Sequence, residues 1–435
     1  MCHFKVIVIF FCLNLFLCSC SSRTSLEEVE NNRFEVLTYN SEISETLTLD
    51  DAEILLSDPR PYKYWTKNYQ NPQNNIANIQ TNASFKNKKK IISGSSGYIN
   101  LIHPIFFEGN LCHVQKKGIL ICKDVDNNSV SIELDLKPEN IKKYEVVRGG
   151  IAYFDNTVIF VDAYGQIKSI DIKNSAINWK TSIEFPILSP PLIYRGYIFF
   201  ISADNRVFAL SFETGDIVWT FQTIEEEKKN LFTATPVAIE NIIIAPFSNG
   251  EVIAFKYDTG QPLWSENTSK VSVISNFDLR DISANPVISG SSMITLSNNG
   301  RLMSNNIVNG KRNWNIDISG SQTPTVSGNQ IYLIDNDARL MCINKETGEI
   351  YWITQLEKYK RGTESKNLNL WTGPYLINNN LYIVSYFGKI ISLSPYSGEI
   401  QSEESLGIKN IYSPLIVLSN QIFVTDEKAN IYRFR

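Results

Sequence analysis

From about residue 104 to the C-terminus, short apolar runs alternate with turn residues, and no helix-length periodic segment separates them. The runs 111–114, 158–161, 197–200, 242–244, 293–295, 331–333, 381–384 and 422–424 each follow a Pro or Gly start. Those starts are Pro104, Gly150, Pro191, Pro236, Pro286, Pro324, Pro374 and Pro414. Pairs such as Asn249-Gly250, Thr214-Gly215 and Thr259-Gly260 supply the positive φ that tight turns need. Each unit reads as four short strands, with a Trp on the fourth in the central units. Trp179, Trp219, Trp264, Trp314 and Trp352 are spaced by 40, 45, 50 and 38 residues, which is the period of propeller blades. Each Trp is expected to fill the wedge between neighbouring blades.

Eight units can be counted, and the eighth has only three strands before the chain stops at Arg435. An open edge is a pairing liability. The stretch Lys88 to Ser93 lies in the right place to donate the missing strand. The pattern therefore predicts an all-β, eight-bladed β-propeller closed by an N-terminal strand, as one domain over 61–435.

Composition narrows the function. The chain has 435 residues, 41 Lys+Arg against 45 Asp+Glu, and a net charge of -4. It shows no basic excess of the sort that marks a nucleic-acid binder, so no nucleic-acid partner is expected. With only 3 His, of which His103 and His113 fall in the body, a His-built metal site is hard to assemble. Four of the 7 Cys lie in the first twenty residues, leaving Cys112, Cys122 and Cys342. Cys112 and Cys122 flank a hairpin. If residue 114 pairs with 119, they face opposite sides of the sheet, and no disulfide is expected. Asp162, Asp204 and Asp335 recur at equivalent turns, which points to turn capping rather than catalysis.

The N-terminus reads as an address. Lys5 is followed by an apolar run from Val6 to Leu17, too short to span a bilayer comfortably. Residues 1–19 are read as a signal peptide. Leu17-Cys18-Ser19-Cys20 resembles the bacterial lipobox, with Cys20 as the lipid carrier. Residues 20–60, rich in Ser, Asn, Thr and Glu at their start, are read as a lipidated tether. Ser21 after the lipid Cys favours, by resemblance to diderm lipoproteins, the periplasmic face of the outer membrane.

The repeat itself resembles the quinoprotein-dehydrogenase type of unit, most closely at Ala209-Leu210, Thr214-Gly215 and Trp219. Two families share it: periplasmic quinone-dependent dehydrogenases, and the BamB family of outer-membrane assembly lipoproteins. Lipobox, length and degenerate repeats look like the second. The segment from Pro61 through Trp65 to Asn71-Pro72 resembles the one that precedes the propeller in the alphaproteobacterial form of that family. The resemblance implies a non-enzymatic scaffold, without cofactor or metal, that docks on the periplasmic domains of the barrel-assembly pore protein BamA and assists insertion of barrel proteins. Unfolded outer-membrane barrel clients are further expected partners, with the membrane reached through the lipid anchor. The family's contact loops correspond here to 230–236, which keeps Leu231 followed by Phe232 without an Arg-Gly pair, and to 281–286, where Asp281 matches a contact Asp. Asp278 and Arg280 add charge in the same long connection between Trp264 and Pro286.

The enzyme alternative needs hard oxygen ligands for Ca²⁺ and a base beside the substrate. The sequence holds no adjacent Cys pair, no Gly-x-Ser-x-Gly and no His-Glu-x-x-His. No catalytic residue is assigned. The alternatives are another envelope protein- or glycan-binding propeller, and a quinone-dependent dehydrogenase.

Overall fold

The computed structural model describes residues 43–46, 53–94, 102–138, 141, 143–146, 148–224, 234–268, 282, 284–298, 300–360, 367–411 and 413–435. The folded body is Ser44–Arg435. Among the described residues there is no helix, and the strands form eight antiparallel blades. Blade 3 is typical. Its strands Leu192–Tyr194, Tyr197–Ile201, Arg206–Ser211 and Ile217–Gln222 pair in chain order. The first strands of neighbouring blades approach one another, so they line the axis and the fourth strands lie outermost. The second and third strands bury both faces: Phe199, Phe200, Ala209 and Leu210 are all inaccessible. Such continuous apolar runs suit strands sandwiched between sheets.

The last blade orders its strands as Lys89–Ile92, Ile431–Phe434, Ile422–Thr425 and Ile416–Val417. The N-terminal strand runs antiparallel to the C-terminal one, with Lys89 opposite Arg433. Blade 7 begins earlier than its Pro suggests, at Trp371, and its first strand runs to Ile377 through a bulge between Thr372 and Tyr375.

Five blade junctions share one lock. The indole N–H of Trp179, Trp219, Trp264, Trp314 and Trp352 donates to Phe212, Tyr257, Ile307, Lys345 and Pro395 carbonyls of the following blade. The ring then lies on that blade's turn glycine. A Cβ on Gly260 would stand 2.5 Å from the Trp219 ring, and its φ of +68 already favours glycine. Each indole thus contributes its buried area plus a satisfied donor.

The remaining junctions are held otherwise. Between blades 1 and 2, Tyr153 stacks on Phe107 at 3.7 Å and Lys168 donates to the Leu136 carbonyl. Between blades 7 and 8, Lys88 donates to the Leu406 and Gly407 carbonyls. Between blades 8 and 1, Arg433 donates to the Val125 carbonyl and Arg435 pairs with Asp126.

The expected absence of a disulfide is corrected. Cys112 and Cys122 are bonded, with Cα atoms 4.0 Å apart. The hairpin pairs Val114 with Leu120, not with residue 119, so Cys112 stands directly opposite Cys122. Gln115 N–H bonds the Ile119 carbonyl, leaving the three-residue turn 116–118. Gly118, at φ +80, takes its left-handed position. One residue of register moves a side chain to the other face.

The segment read as a tether up to residue 60 is seated in part. Thr46 N–H bonds the Ile350 carbonyl on the outer strand of blade 6, and Ile54 and Leu56 pack on that blade's core.

Candidate functional site

Two regions carry the question of function: the axis, where the first strands converge, and the end of the ring that bears the connections between blades.

The chain's own residues 55–82 occupy the axis. The Trp65 backbone pairs with Phe106 of blade 1, and the Thr66 carbonyl accepts from Tyr153 of blade 2. The Pro72 carbonyl accepts from Ala238 of blade 4, and the Gln73 carbonyl from Ile288 of blade 5. Ser57 bonds Ser327 of blade 6, Ile79 pairs with Ile377 of blade 7, and the Tyr62 carbonyl accepts from Ser419 beside blade 8. Asn74 reaches the Pro286 carbonyl and Asn75 the Ile288 carbonyl. Short polar side chains at this density suit a tight plug, because they bond backbone groups locally. Tyr69, Gln70 and Asn74 accordingly take positive φ.

Within the plug, Lys67 is buried, and among the described residues no carboxylate pairs with it. Its ammonium donates to the Asn68 carbonyl at 2.7 Å, the Asn71 carbonyl at 3.0 Å and Asn74 Oδ1 at 2.6 Å. Three donors meet three acceptors. Burial pushes its pKa down to about 7. A cavity against the plug, lined by Tyr69, Asn74, Thr323 and Tyr375 among others, is about 20 Å³. That is the room of roughly one water. A fused-ring cofactor does not fit there while the plug is seated.

The two body histidines are structural. His103 Nδ1 lies 2.7 Å from the Ser413 hydroxyl, joining the entries to blades 1 and 8. His113 is buried in the second strand of blade 1. Burial pushes both down to about 4, so both are neutral at pH 7. Asp162 accepts the backbone N–H of Tyr164 and Gln166, and Asp335 accepts those of Asp337 and Arg339. These are the turn caps that their repetition suggested. Asp204 is bound differently, by the Ser202 hydroxyl and by Arg206 at 3.3 Å. Among the described residues no group of three His, Cys, Asp or Glu could hold a metal ion.

Leu231, Phe232, Asp278, Arg280 and Asp281, together with Cys20, lie outside the described residues. The roots of the two connections are described. Ala234, at the end of the first, and Ile282, at the end of the second, are buried in one cluster with Val237 and Ile288. Thr235 N–H bonds Asn285 Oδ1 at 2.7 Å, and Asn285 in turn donates to Thr323 Oγ1 at 3.0 Å. Thr235, Asn285 and Thr323 each precede the Pro that opens a blade. The connections into blades 4 and 5 are therefore tied side by side.

The comparisons bear on this arrangement. The family model described as outer membrane protein assembly factor BamB matches residues 116–354. The chain belongs to the BamB family of outer membrane protein assembly factors. The BamB of Yersinia pestis is 21% identical over 347 residues, covering 79% of this chain and 86% of its own. That of Burkholderia pseudomallei is 21% identical over 260 residues, covering 59% and 66%. In fold, the crystal structure of BamB from Moraxella catarrhalis matches with a TM-score of 0.66 at 18% identity, over 79% of this chain and all of that one. A quinohemoprotein alcohol dehydrogenase from Comamonas testosteroni shares the fold at a TM-score of 0.63 and 10% identity, over 85% and 80%. The named family is one of assembly factors and not of enzymes. Its members are named for outer membrane protein assembly, which is consistent with an envelope location for this chain.

The plug, the Lys67 centre and the disulfide escaped the sequence reading. The signal for the plug was present as six Asn between residues 68 and 82, a density of turn-formers unusual for a linker.

Proposed function

We propose that the chain is held by a lipid on Cys20 at the periplasmic face of the outer membrane, and there docks on the periplasmic domains of the barrel-assembly pore protein. The two connections entering blades 4 and 5 form the docking end, with Leu231, Phe232, Asp278, Arg280 and Asp281 as its contacts. The observation that carries this reading is the Thr235–Asn285 bond together with the shared burial of Ala234 and Ile282. It fixes the roots of both connections against each other. Loops on a rigid scaffold are free to specialise in recognition.

The test is capture of the purified protein by the pore protein's periplasmic domains. Wild type and a variant with 226–232 and 271–281 replaced by Gly-Ser linkers are compared at two salt concentrations. Loss of capture in the variant, with unchanged melting, supports the docking end. Equal capture moves the interface elsewhere. Cys20→Ser separately tests the anchor, because it should release the protein to the soluble fraction.

A further inference from the structure

Two outer strands share the pattern Thr-Gly-acid-Ile-x-Trp-x-x-Gln. In blade 3 the stretch from Thr214 reads Thr-Gly-Asp-Ile-Val-Trp-Thr-Phe-Gln, and in blade 6 the stretch from Thr347 reads Thr-Gly-Glu-Ile-Tyr-Trp-Ile-Thr-Gln. Their strands, Ile217–Gln222 and Ile350–Gln355, contain no charged residue. Each of the other six outermost strands carries at least one Lys, Arg, Asp or Glu. Charge on an edge is how sheets avoid pairing with other chains.

The two uncharged edges differ in occupancy. On blade 6, Thr46 N–H donates to the Ile350 carbonyl at 3.0 Å, Ile350 N–H donates to Thr46 Oγ1 at 2.7 Å, and Ile353 N–H donates to Glu45 Oε1 at 3.1 Å. Ile350 and Tyr351 are 4% and 3% exposed. On blade 3 the matching Ile217 and Val218 are 50% and 47% exposed, and no described residue bonds the outer edge. Beside that edge runs a groove of about 690 Å³, lined by Phe221, Ile224, Leu263 and Trp264 among others. Ile224 is 77% exposed.

We propose that the outer edge of blade 3 receives an extended strand of a barrel-forming client protein, as the outer edge of blade 6 receives Glu45 and Thr46. This rests on the family's role in outer-membrane protein assembly and is independent of where the pore protein docks. The blade 6 edge shows what this sequence accepts: a segment giving a backbone N–H, a hydroxyl and a carboxylate oxygen to the free N–H and C=O positions. Main-chain bonds to the edge provide affinity, and alternate side chains select. A strand destined for an outer-membrane barrel alternates apolar and polar residues and carries little charge on its lipid face. Its charge state matches the uncharged edge, and its apolar side chains match the groove. The charged edges of blades 1, 2, 4, 5, 7 and 8 do not offer that match.

The probe is a fluorescein-labelled eight-residue peptide of alternating Thr and Val, titrated with the full chain in detergent and read by anisotropy. The variant is Ile217→Arg with Val218→Asn, the residues that blade 5 carries at the same places as Arg312 and Asn313, so the ring tolerates them. Saturable binding by wild type, weakened at least tenfold in the double variant and kept in the blade 2 control Ile177→Arg, is the expected result. A peptide N-methylated at alternate residues should not bind. Absence of saturable binding to wild type, or equal binding by the double variant, overturns the proposal. A wild-type dimer that the double variant dissociates also overturns it, by assigning the edge to a second copy. Capture by the pore protein is measured on the same samples. Its failure would strike the docking end alone, because the peptide result does not depend on it.

Discussion

The indole nitrogen of Trp219 lies 3.0 Å from the carbonyl oxygen of Tyr257, and through that bond blade 3 grips the turn of blade 4. The same turn places Gly260 against the face of the ring. Packing and donor are thus spent on one contact, which recurs at four other junctions.

Trp219→Ala should cost about 3–5 kcal/mol in unfolding free energy, the range for removing a large buried aromatic. Trp219→Phe keeps much of the packing but strands the Tyr257 carbonyl. It should cost less than the Ala change, by an amount urea denaturation can resolve. Gly260→Ala should also destabilise, since the new Cβ meets the ring at 2.5 Å on a backbone with φ +68.

Reduction of Cys112–Cys122 should lower stability by roughly 2–4 kcal/mol, the usual range for a native bridge. Melting with and without reductant measures it. Alkylation of the unfolded body should block one thiol before reduction, on Cys342, and three afterwards. The bridge suits an oxidising compartment such as the periplasm.

Lys67 makes stability depend on pH in a defined direction. Its folded pKa of about 7 lies below the ordinary value of 10.5, so between those values the unfolded chain holds the proton more often. Stability therefore rises with pH across that window, and the penalty is fully present below about pH 7. Lys67→Met should flatten the slope between pH 7.5 and 9.5 relative to wild type. Near pH 9.5, where the wild type no longer carries that penalty in full, it should destabilise, because it leaves the acceptors on Asn68, Asn71 and Asn74 without their donor.

Deleting residues 21–42 should leave the melting transition of the body nearly unchanged. Extending the deletion through residue 57 removes the bonds of Thr46, Leu55 and Ser57 to blade 6 and should lower it measurably. Extending it through residue 92 removes the plug and the outer strand of blade 8, and the ring should no longer melt as one cooperative unit.

The blades were legible because their signals are local. Turn glycines, apolar runs and the Trp period need no knowledge of distant partners, and they identify five of the eight fourth strands directly. Asp162 and Asp335 as turn caps follow from the same locality. The Cys112–Cys122 bridge was missed by one residue of register, because a three-residue turn at 116–118 and a four-residue one read alike in the sequence. The plug was missed for a different reason. Residues 61–82 have no period of their own, since their partners are spread over several blades, and an Asn bonding a backbone carbonyl more than 200 residues away leaves no local pattern. The shared lack of charge in the outer strands of blades 3 and 6 is visible in the sequence. Only the structure shows that one edge is covered, while no described residue bonds the other.

The plug has a consequence in time. A ribosome delivers residues 55–82 before any blade exists, yet their partners are spread from Phe106 to Ser419. Tyr62 must wait for 357 further residues before its carbonyl can be met. Contacts of such sequence separation form slowly. The first folded-body residues to arrive are therefore among the last to be seated, whereas the Trp locks need only the next blade in the chain.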